Sequence, residues 1–218
     1  MRPKSFMPAV TEISPGEAGA IPGLEAMVAY WTEEECSAED WLSEVREDWG
    51  PAAFAMRRSG ETLGYILYGP PGRLPRAGRY PVGPLSEDGA LLAYVDGDDR
   101  VRRHLLVRML RDLRGRGIER VEAVTSDLGM PRHISTAGLL ESGWRPERRG
   151  WRRGSPYTLA YTELGSAVEV GELARDFIRS VKFPHLKKSP TPSPGAFNRA
   201  TYYWEPVKNP PVEVGSRS

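Results

Sequence analysis

The stretch whose reading decides the fold is Tyr94–Val124, YVDGDDRVRRHLLVRMLRDLRGRGIERVEAV. It begins at the end of a wholly apolar run, ALLAYV at 90–95, of the kind that fills a central strand. A short polar turn, DGDD, follows. Val101, Leu105, Leu106, Met109, Leu110 and Leu113 then recur on one face of a helix, with Arg103, Arg108, Arg111 and Arg114 mostly elsewhere on it. Gly115 and Gly117 stop the helix, and IERVEAV makes the next strand. Strand, crossover helix and strand form a unit of the parallel type. The turn before such a helix often receives phosphate on its backbone N–H groups. Here that turn carries arginines, Arg100 and Arg102, where glycine suits the task better.

On the N-terminal side, AVTEIS (9–14) reads as a short strand, and PGEAGAIPGLEAMVAYW as a helix broken at Pro22-Gly23. CSAEDWLSEVREDWG is a clearer helix. Ser37 and Asp40 resemble a capping box, Trp41, Leu42, Val45 and Trp49 form its apolar stripe, and Gly50-Pro51 ends it. AAFAMRR and TLGYILYG flank the turn SGE as an antiparallel hairpin. Residues 70–89 are too rich in Pro and Gly to be a regular element, and a connection of this length is usually functional or mobile. On the C-terminal side, HISTAGLLESG predicts a short helix, and WRPERRGWRRGSPYTLAYTEL two strands around an arginine-rich turn. The order β-α-α-β-β-β-α-β-α-β-β predicts an α/β fold: a mixed, twisted, mostly antiparallel sheet with helices on both faces. This accounts for one domain over residues 1–164. Residues 165–218 read as an extension: a helix in AVEVGELARDFIRSVK, a Pro-rich linker, an aromatic segment AFNRATYYWEPV and a polar end. The extension is expected to pack on its own domain or to reach a partner subunit, so a homodimer is one expectation.

The chain has 218 residues, 39% hydrophobic and 27% charged, with a formal net charge of +1. Such a balance does not by itself point to nucleic acid or a membrane surface. A single cysteine, Cys36, excludes an internal disulfide and a Cys-rich zinc site and fits a reducing cytoplasm. No stretch approaches the roughly 20 apolar residues of a membrane span, and MRPKSFMPAV lacks the apolar run of a signal peptide. Charge is nevertheless uneven. Residues 1–50 hold 11 acids and 3 bases, whereas residues 100–153 hold 14 arginines and 6 acids. Either the two faces attract each other, or one pole serves a polyanionic cofactor and the other a cationic substrate.

HLLVRMLRDLRGRGIERVEAV, with Leu105, Leu106, Leu110, Gly117, Ile118 and Val121, resembles the signature helix and strand of the GNAT superfamily of acyl-CoA-dependent N-acyltransferases, and AGLLESGW resembles a second segment of that family. The resemblance covers roughly residues 9–164. It implies the GNAT fold, acetyl-CoA as co-substrate, and a small-molecule or peptide amine as acceptor. It further implies that the coenzyme lies along 91–95, with backbone N–H groups around Tyr94 and Val95 beside the pantetheine arm. Its diphosphate would then lie at 98–104, against Arg100, Val101, Arg102, Arg103 and His104. Two departures stand out. Gly97, Arg100 and Arg102 occupy the places of the family's Gln/Arg-x-x-Gly-x-Gly/Ala pattern. Leu139 stands where many relatives carry a tyrosine that protonates the departing thiolate.

The chemistry requires a base for the amine and donors for an oxyanion. Glu87 and Asp88, just before the central strand, and His133, at the start of the short helix, are the candidates for proton transfer. Asp96 and His104 read as boundary residues, and Cys36 as a helix-start residue. The three histidines show no metal-ligand spacing. A second reading is a binding or regulatory protein that keeps the fold without the catalysis. A third gives the RPERRGWRRG cluster to RNA or DNA, although a solvated hairpin tip accounts for it more simply.

Overall fold

In a computed structural model, residues 8–34 and 36–165 are described. The predicted features of 166–218 lie outside them. The chain runs through β1 (Ala9–Glu12), a 3-10 turn at Pro15–Ala20, α1 (Leu24–Thr32), α2 (Ala38–Asp48), β2 (Ala53–Arg58) and β3 (Glu61–Gly69). It continues through β4 (Ala90–Val95), α3 (Asp99–Gly115), β5 (Arg120–Ser126), β6 (Ile134–Ser135), α4 (Thr136–Leu140), β7 (Arg145–Arg152) and β8 (Ser155–Glu163). The sheet order is β1-β2-β3-β4-β5-β8-β7, with β6 paired to β5. Every pair is antiparallel except β4–β5 and β5–β6. The predicted mixed, mostly antiparallel α/β sheet is therefore the observed one.

Each helix sits where its apolar stripe requires. On one face, Leu24, Val28 and Trp31 of α1 and Trp41, Leu42 and Val45 of α2 pack on Ala53, Leu67, Leu91 and Val124. On the other, Val101, Leu105, Met109 and Leu113 of α3 and Leu139 of α4 pack on Phe54, Leu92, Val121 and Ala160. Ser37 caps α2 by accepting the Asp40 N–H at 3.0 Å. The region predicted as one helix over 133–143 is divided. Ile134 and Ser135 pair with Thr125 and Ser126, and only Thr136–Leu140 turns into helix. The local cause is the Thr136 hydroxyl, which bonds Thr125 Oγ1 at 2.8 Å and Asp127 at 2.6 Å and ties the first turn to β5.

The connection 70–89 is a packed strap. Two 3-10 turns, Pro71–Arg73 and Pro75–Arg79, feed Leu74, Ala77, Tyr80 and Val82 into the core beside α1 and α2. At one end Arg73 holds Glu44 at 3.0 Å and Asp48 at 2.5 Å, and its carbonyl accepts the Trp41 indole N–H at 3.1 Å. At the other, the Ser86 N–H donates to Glu122 at 2.8 Å, and the Pro84 carbonyl accepts from Arg148. Glycine is required at 150 on β7, because a Cβ there would lie 2.2 Å from the Pro81 carbonyl oxygen. The strap thus crosses the sheet from α2 to β7.

Glu122 is the anchor that ties this strap to the sheet. It is 2% exposed and also accepts from Arg120 at 2.8 Å. Glu122→Ala strands both donors, so urea unfolding is expected to show a loss of roughly 1–3 kcal/mol.

Candidate active site

The site grows out of one irregularity in β4. Leu67 faces Tyr94 while Tyr68 faces Leu92, which leaves Ala93 as an extra residue. The bulge breaks the alternation of the strand. Leu92 and Val95 enter the core on the α3 face, and Ala93 and Tyr94 both point to the α1 face. Beyond it β4 leaves its parallel neighbour. Only Ala90 and Leu91 pair with β5, opposite Val121 and Glu122. Because β8 occupies the other edge of β5 along Arg120–Ser126, β6 must sit on the edge that β4 has vacated. A gap therefore opens between 92–95 on one side and β5 with β6 on the other. The Asp96 N–H donates to the Tyr65 carbonyl at 2.8 Å. Strand alternation then turns the Val95 N–H away from β3 and toward this gap.

At the head of the gap stands the N-terminus of α3. Gly97 has φ +108, and a Cβ there would lie 2.5 Å from Val101, so the turn demands glycine at this position. Asp98 is the N-cap, and its carboxylate accepts the Val101 N–H at 2.8 Å. Arg100, Arg102 and His104 are exposed, with Arg102 3.2 Å from Asp99 and the His104 Nδ1–H donating to the Arg100 carbonyl at 2.7 Å. The guanidinium groups thus project into solvent around the helix start. A pantetheine arm fits the open β4 edge. A diphosphate fits the α3 start on one condition: that Asp98 yields the Val101 amide, since two anions cannot share it.

The third part lies on the α1 face. His133 Nε2 is 2.7 Å from the Tyr80 hydroxyl, which is 2.8 Å from the Tyr30 hydroxyl. His133 Nδ1 is 3.0 Å from the Pro131 carbonyl, which can only accept. The proton therefore sits on Nδ1, Nε2 accepts from Tyr80, and Tyr80 accepts from Tyr30. Burial pushes His133 below its ordinary 6.5, and Arg152 and Arg76 add to the shift against the pull of the Pro131 carbonyl. Burial likewise raises Tyr80, and its donation to the His133 Nε2 acts in the same direction by holding the proton on the hydroxyl. Trp31 and Tyr157 complete a cluster in which every ring centroid lies within 5.5 Å of His133, apart from Tyr30 at 5.8 Å.

Of the sequence candidates, His133 reaches this centre. Glu87 and Asp88 are exposed in the turn that enters β4 at its paired end. Roughly 20 Å of strand separates them from Tyr94. Tyr94 and Val95 border the gap, and Arg100, Val101, Arg102, Arg103 and His104 surround the helix start. Tyr80 and Tyr30 were not legible as site residues, because the pairing of a strap tyrosine with a helix tyrosine 50 positions away has no local signature. Asp127 forms a separate polar centre beneath an open cavity of about 500 Å³ beside α4 and β7. Burial alone would raise its pKa, but hydrogen bonds from Thr136, Thr158 and Arg149 hold the carboxyl below its usual range.

The charge poles are largely spent within the fold. Glu12, Glu17, Glu33, Glu44 and Asp48 of the acidic sector pair with Arg46, Arg57, Arg76, Arg79 and Arg73. Within the arginine cluster Arg148 reaches Pro84 and Arg149 pairs with Asp127 at 2.6 Å. None of these pairs joins the two sectors to each other: the acids are held by arginines of α2, β2 and the strap, Arg148 by the strap, and Arg149 by Asp127 just after β5. Among the described residues no group of His, Cys, Asp and Glu could hold a metal ion, and no helix is long and apolar enough to cross a membrane.

A histidine kept neutral in the fold contributes stability that is present above 6.5 and is lost as pH falls through its lowered value. Urea unfolding at pH 7 and pH 5 should therefore show a smaller acid loss in His133→Gln than in the parent. In Tyr80→Phe the hydrogen bond to neutral Nε2 is gone, and the His133 titration followed by NMR should move upward.

No protein-family model matches the chain, and no curated protein matches it significantly. Solved structures do. An N-acetyltransferase from Staphylococcus aureus Mu50 is 11% identical, with a TM-score of 0.52 over 72% of this chain and 99% of that one. The yncA protein from Salmonella typhimurium, assigned as an acetyltransferase and solved with its cofactor acetyl-CoA, is 15% identical, with a TM-score of 0.52 over 74% and 96%. An assigned GNAT-family acetyltransferase from Desulfovibrio desulfuricans is 19% identical over 73% and 100%, with a TM-score of 0.47. At these identities the likeness is one of fold: residues 9–163 have the fold of the GNAT acetyltransferases.

Proposed function

We propose that the protein is an acyl-CoA-dependent N-acyltransferase that moves an acetyl group from acetyl-CoA to a primary amine by direct attack. The observation that carries this reading is the parting of β4 from β5 after two paired residues, with the Val95 N–H turned into the gap. Acetyl-CoA supplies the acetyl group activated as a thioester. Along the open edge of Tyr94 and Val95 the backbone offers extended hydrogen-bonding groups to a pantetheine amide. The Val95 N–H is a preorganised donor for the oxygen on which charge develops. Arg100, Arg102, Arg103 and His104 supply positive charge around the α3 start, and Val101 supplies an amide once Asp98 releases it.

Proton transfer belongs in this reading to His133 rather than to Glu87 or Asp88. The amine nitrogen bonds to the acetyl carbon, the carbon–sulfur bond breaks, and the ammonium proton must leave. Tyr30 can accept it while passing its own to Tyr80, and Tyr80 passes one to His133 Nε2. The imidazolium keeps its Nδ1–H on the Pro131 carbonyl throughout. Leu139 is 1% exposed in the core and has no hydroxyl, so the thiolate leaves to solvent.

The same two departures favour a second reading, a binding or regulatory protein without turnover: arginines at 100 and 102 in place of glycines and no donor at 139. The Asp98 carboxylate on the Val101 amide adds to it. Three measurements decide. Calorimetric titration with acetyl-CoA should give saturable heat, weakened about tenfold in Arg100→Ala or Arg102→Ala, the worth of one charge-assisted contact. Asp98→Asn keeps an acceptor on Val101 but removes the charge, and should tighten acetyl-CoA by a similar factor at little cost to the helix. Thiol release over a broad amine panel should fall about 10²- to 10⁴-fold in His133→Gln with KM little altered, and its acid limb in the parent should lie below pH 6.5. An absence of heat at millimolar acetyl-CoA overturns the enzyme reading, and turnover with any amine overturns the second one.

A further inference from the structure

The acidic N-terminal sector pointed to a cationic acceptor. The surroundings of His133 point the other way. Three guanidinium groups from three separate segments converge on the two tyrosines of the His133 chain. Arg76, from the strap, stands 4.0 Å from the Tyr30 ring centroid; Arg132, beside His133, stands 5.1 Å from the same ring; Arg152, from β7, stands 4.6 Å from the Tyr80 ring. The tyrosine faces that would attract an ammonium group are thus already covered by cations. Among the described residues, the carboxylate that pairs with one of these guanidinium groups is Glu33, which is committed to Arg76 at 3.2 Å and to Arg79. Neither Arg132 nor Arg152 forms an ion pair or hydrogen bond among the described residues, apart from their contacts with the rings.

A second observation concerns buried donors. The Trp31 indole N–H belongs to a side chain with no exposure, packed edge-on against His133, and has no hydrogen-bond acceptor. Arg76 Nε is also buried without one, because its approach to Glu33 falls outside hydrogen-bond geometry. A donor buried without a partner costs about 1–3 kcal/mol. Two of them, within one cluster ringed by unpaired guanidinium groups, describe a place that is short of acceptor oxygens.

We infer that the acceptor amine also carries an anionic oxygen group, a carboxylate or a phosphate, which Arg132 and Arg152 hold beside the Tyr30–Tyr80–His133 chain. This rests on the acyltransferase reading for the word acceptor, but the anion site itself does not. The guanidinium fork pairs bidentately with either group. A polyamine, which has cations in place of that group, is repelled from the same place.

The test is equilibrium binding by calorimetry to the full chain with matched pairs: phenylalanine against phenethylamine, lysine against cadaverine, and phosphoethanolamine against ethanolamine. The first two pairs read a carboxylate and the third a phosphate. In at least one pair the anionic member should bind tenfold or more tightly than its counterpart. Arg132→Gln and Arg152→Gln, both at the rim and away from the core, should each erase most of that preference. Acetyl-CoA is titrated into the same three preparations and should bind all of them alike. Equal or tighter binding of the cationic member in every pair, no binding of any member, or a preference that survives both substitutions overturns the inference. No acetyl-CoA binding to the parent, together with an anionic preference in the parent that the substitutions erase, overturns the acyltransferase reading and leaves the anion site standing.

Discussion

Everything in the proposed site depends on β4 failing to stay with β5. Two paired residues hold the parallel strands together, and then the extra residue at Ala93 bends β4 away. A strand edge left open inside a protein carries backbone groups that need partners, and an unmade hydrogen bond there is expensive. The fold resolves half of that demand itself, since Ile134 and Ser135 take the edge of β5. Among the described residues, the edge of β4 beyond Leu91 has no strand partner on that side. The bulge also sets two neighbours, Ala93 and Tyr94, on the same face, so that Tyr94 lies 5.7 Å from Tyr65 and closes the α1 side of the gap. A regular strand in this position would have buried Tyr94 against α3.

The strap and the salt bridges make sense as consequences. A sheet opened at its centre loses the lateral support of a strand ladder. Residues 70–89 supply it from above by joining α2, β5 and β7 through Arg73, Glu122 and Gly150. The strap also delivers Tyr80 to His133, so the element that braces the opening supplies the hydroxyl that meets the imidazole Nε2. The acidic helices mainly serve to hold this strap, through Glu33, Glu44 and Asp48.

The fold was largely legible because its signals are local and periodic. The α3 stripe from Val101 to Leu113, the apolar run of β4, and the Ser37 cap each report through neighbours within a few residues. The split at Ile134 was not legible: a two-residue strand has no period, and its cause is the bond of Thr136 to Thr125 and Asp127 in another strand. Of the proposed site, the sequence named the backbone part, Tyr94, Val95 and the α3 start, and His133. The acids Glu87 and Asp88 stood near β4 in sequence, yet the strand direction carries them to its closed end. Charge counted along the chain does not describe the acceptor side, because counting cannot tell that Glu33 is bound to two arginines while Arg132 and Arg152 arrive from distant segments.

The most direct test of the central claim is an amide NMR titration of the full chain with coenzyme A. The account predicts progressive shifts at Tyr94, Val95 and the amides from Asp98 to Arg102, the residues lining the opening and the start of α3. If saturating coenzyme leaves the Val95 amide unmoved, or shifts only residues of β7 and β8, then the gap beside β4 does not receive the coenzyme and the account is wrong.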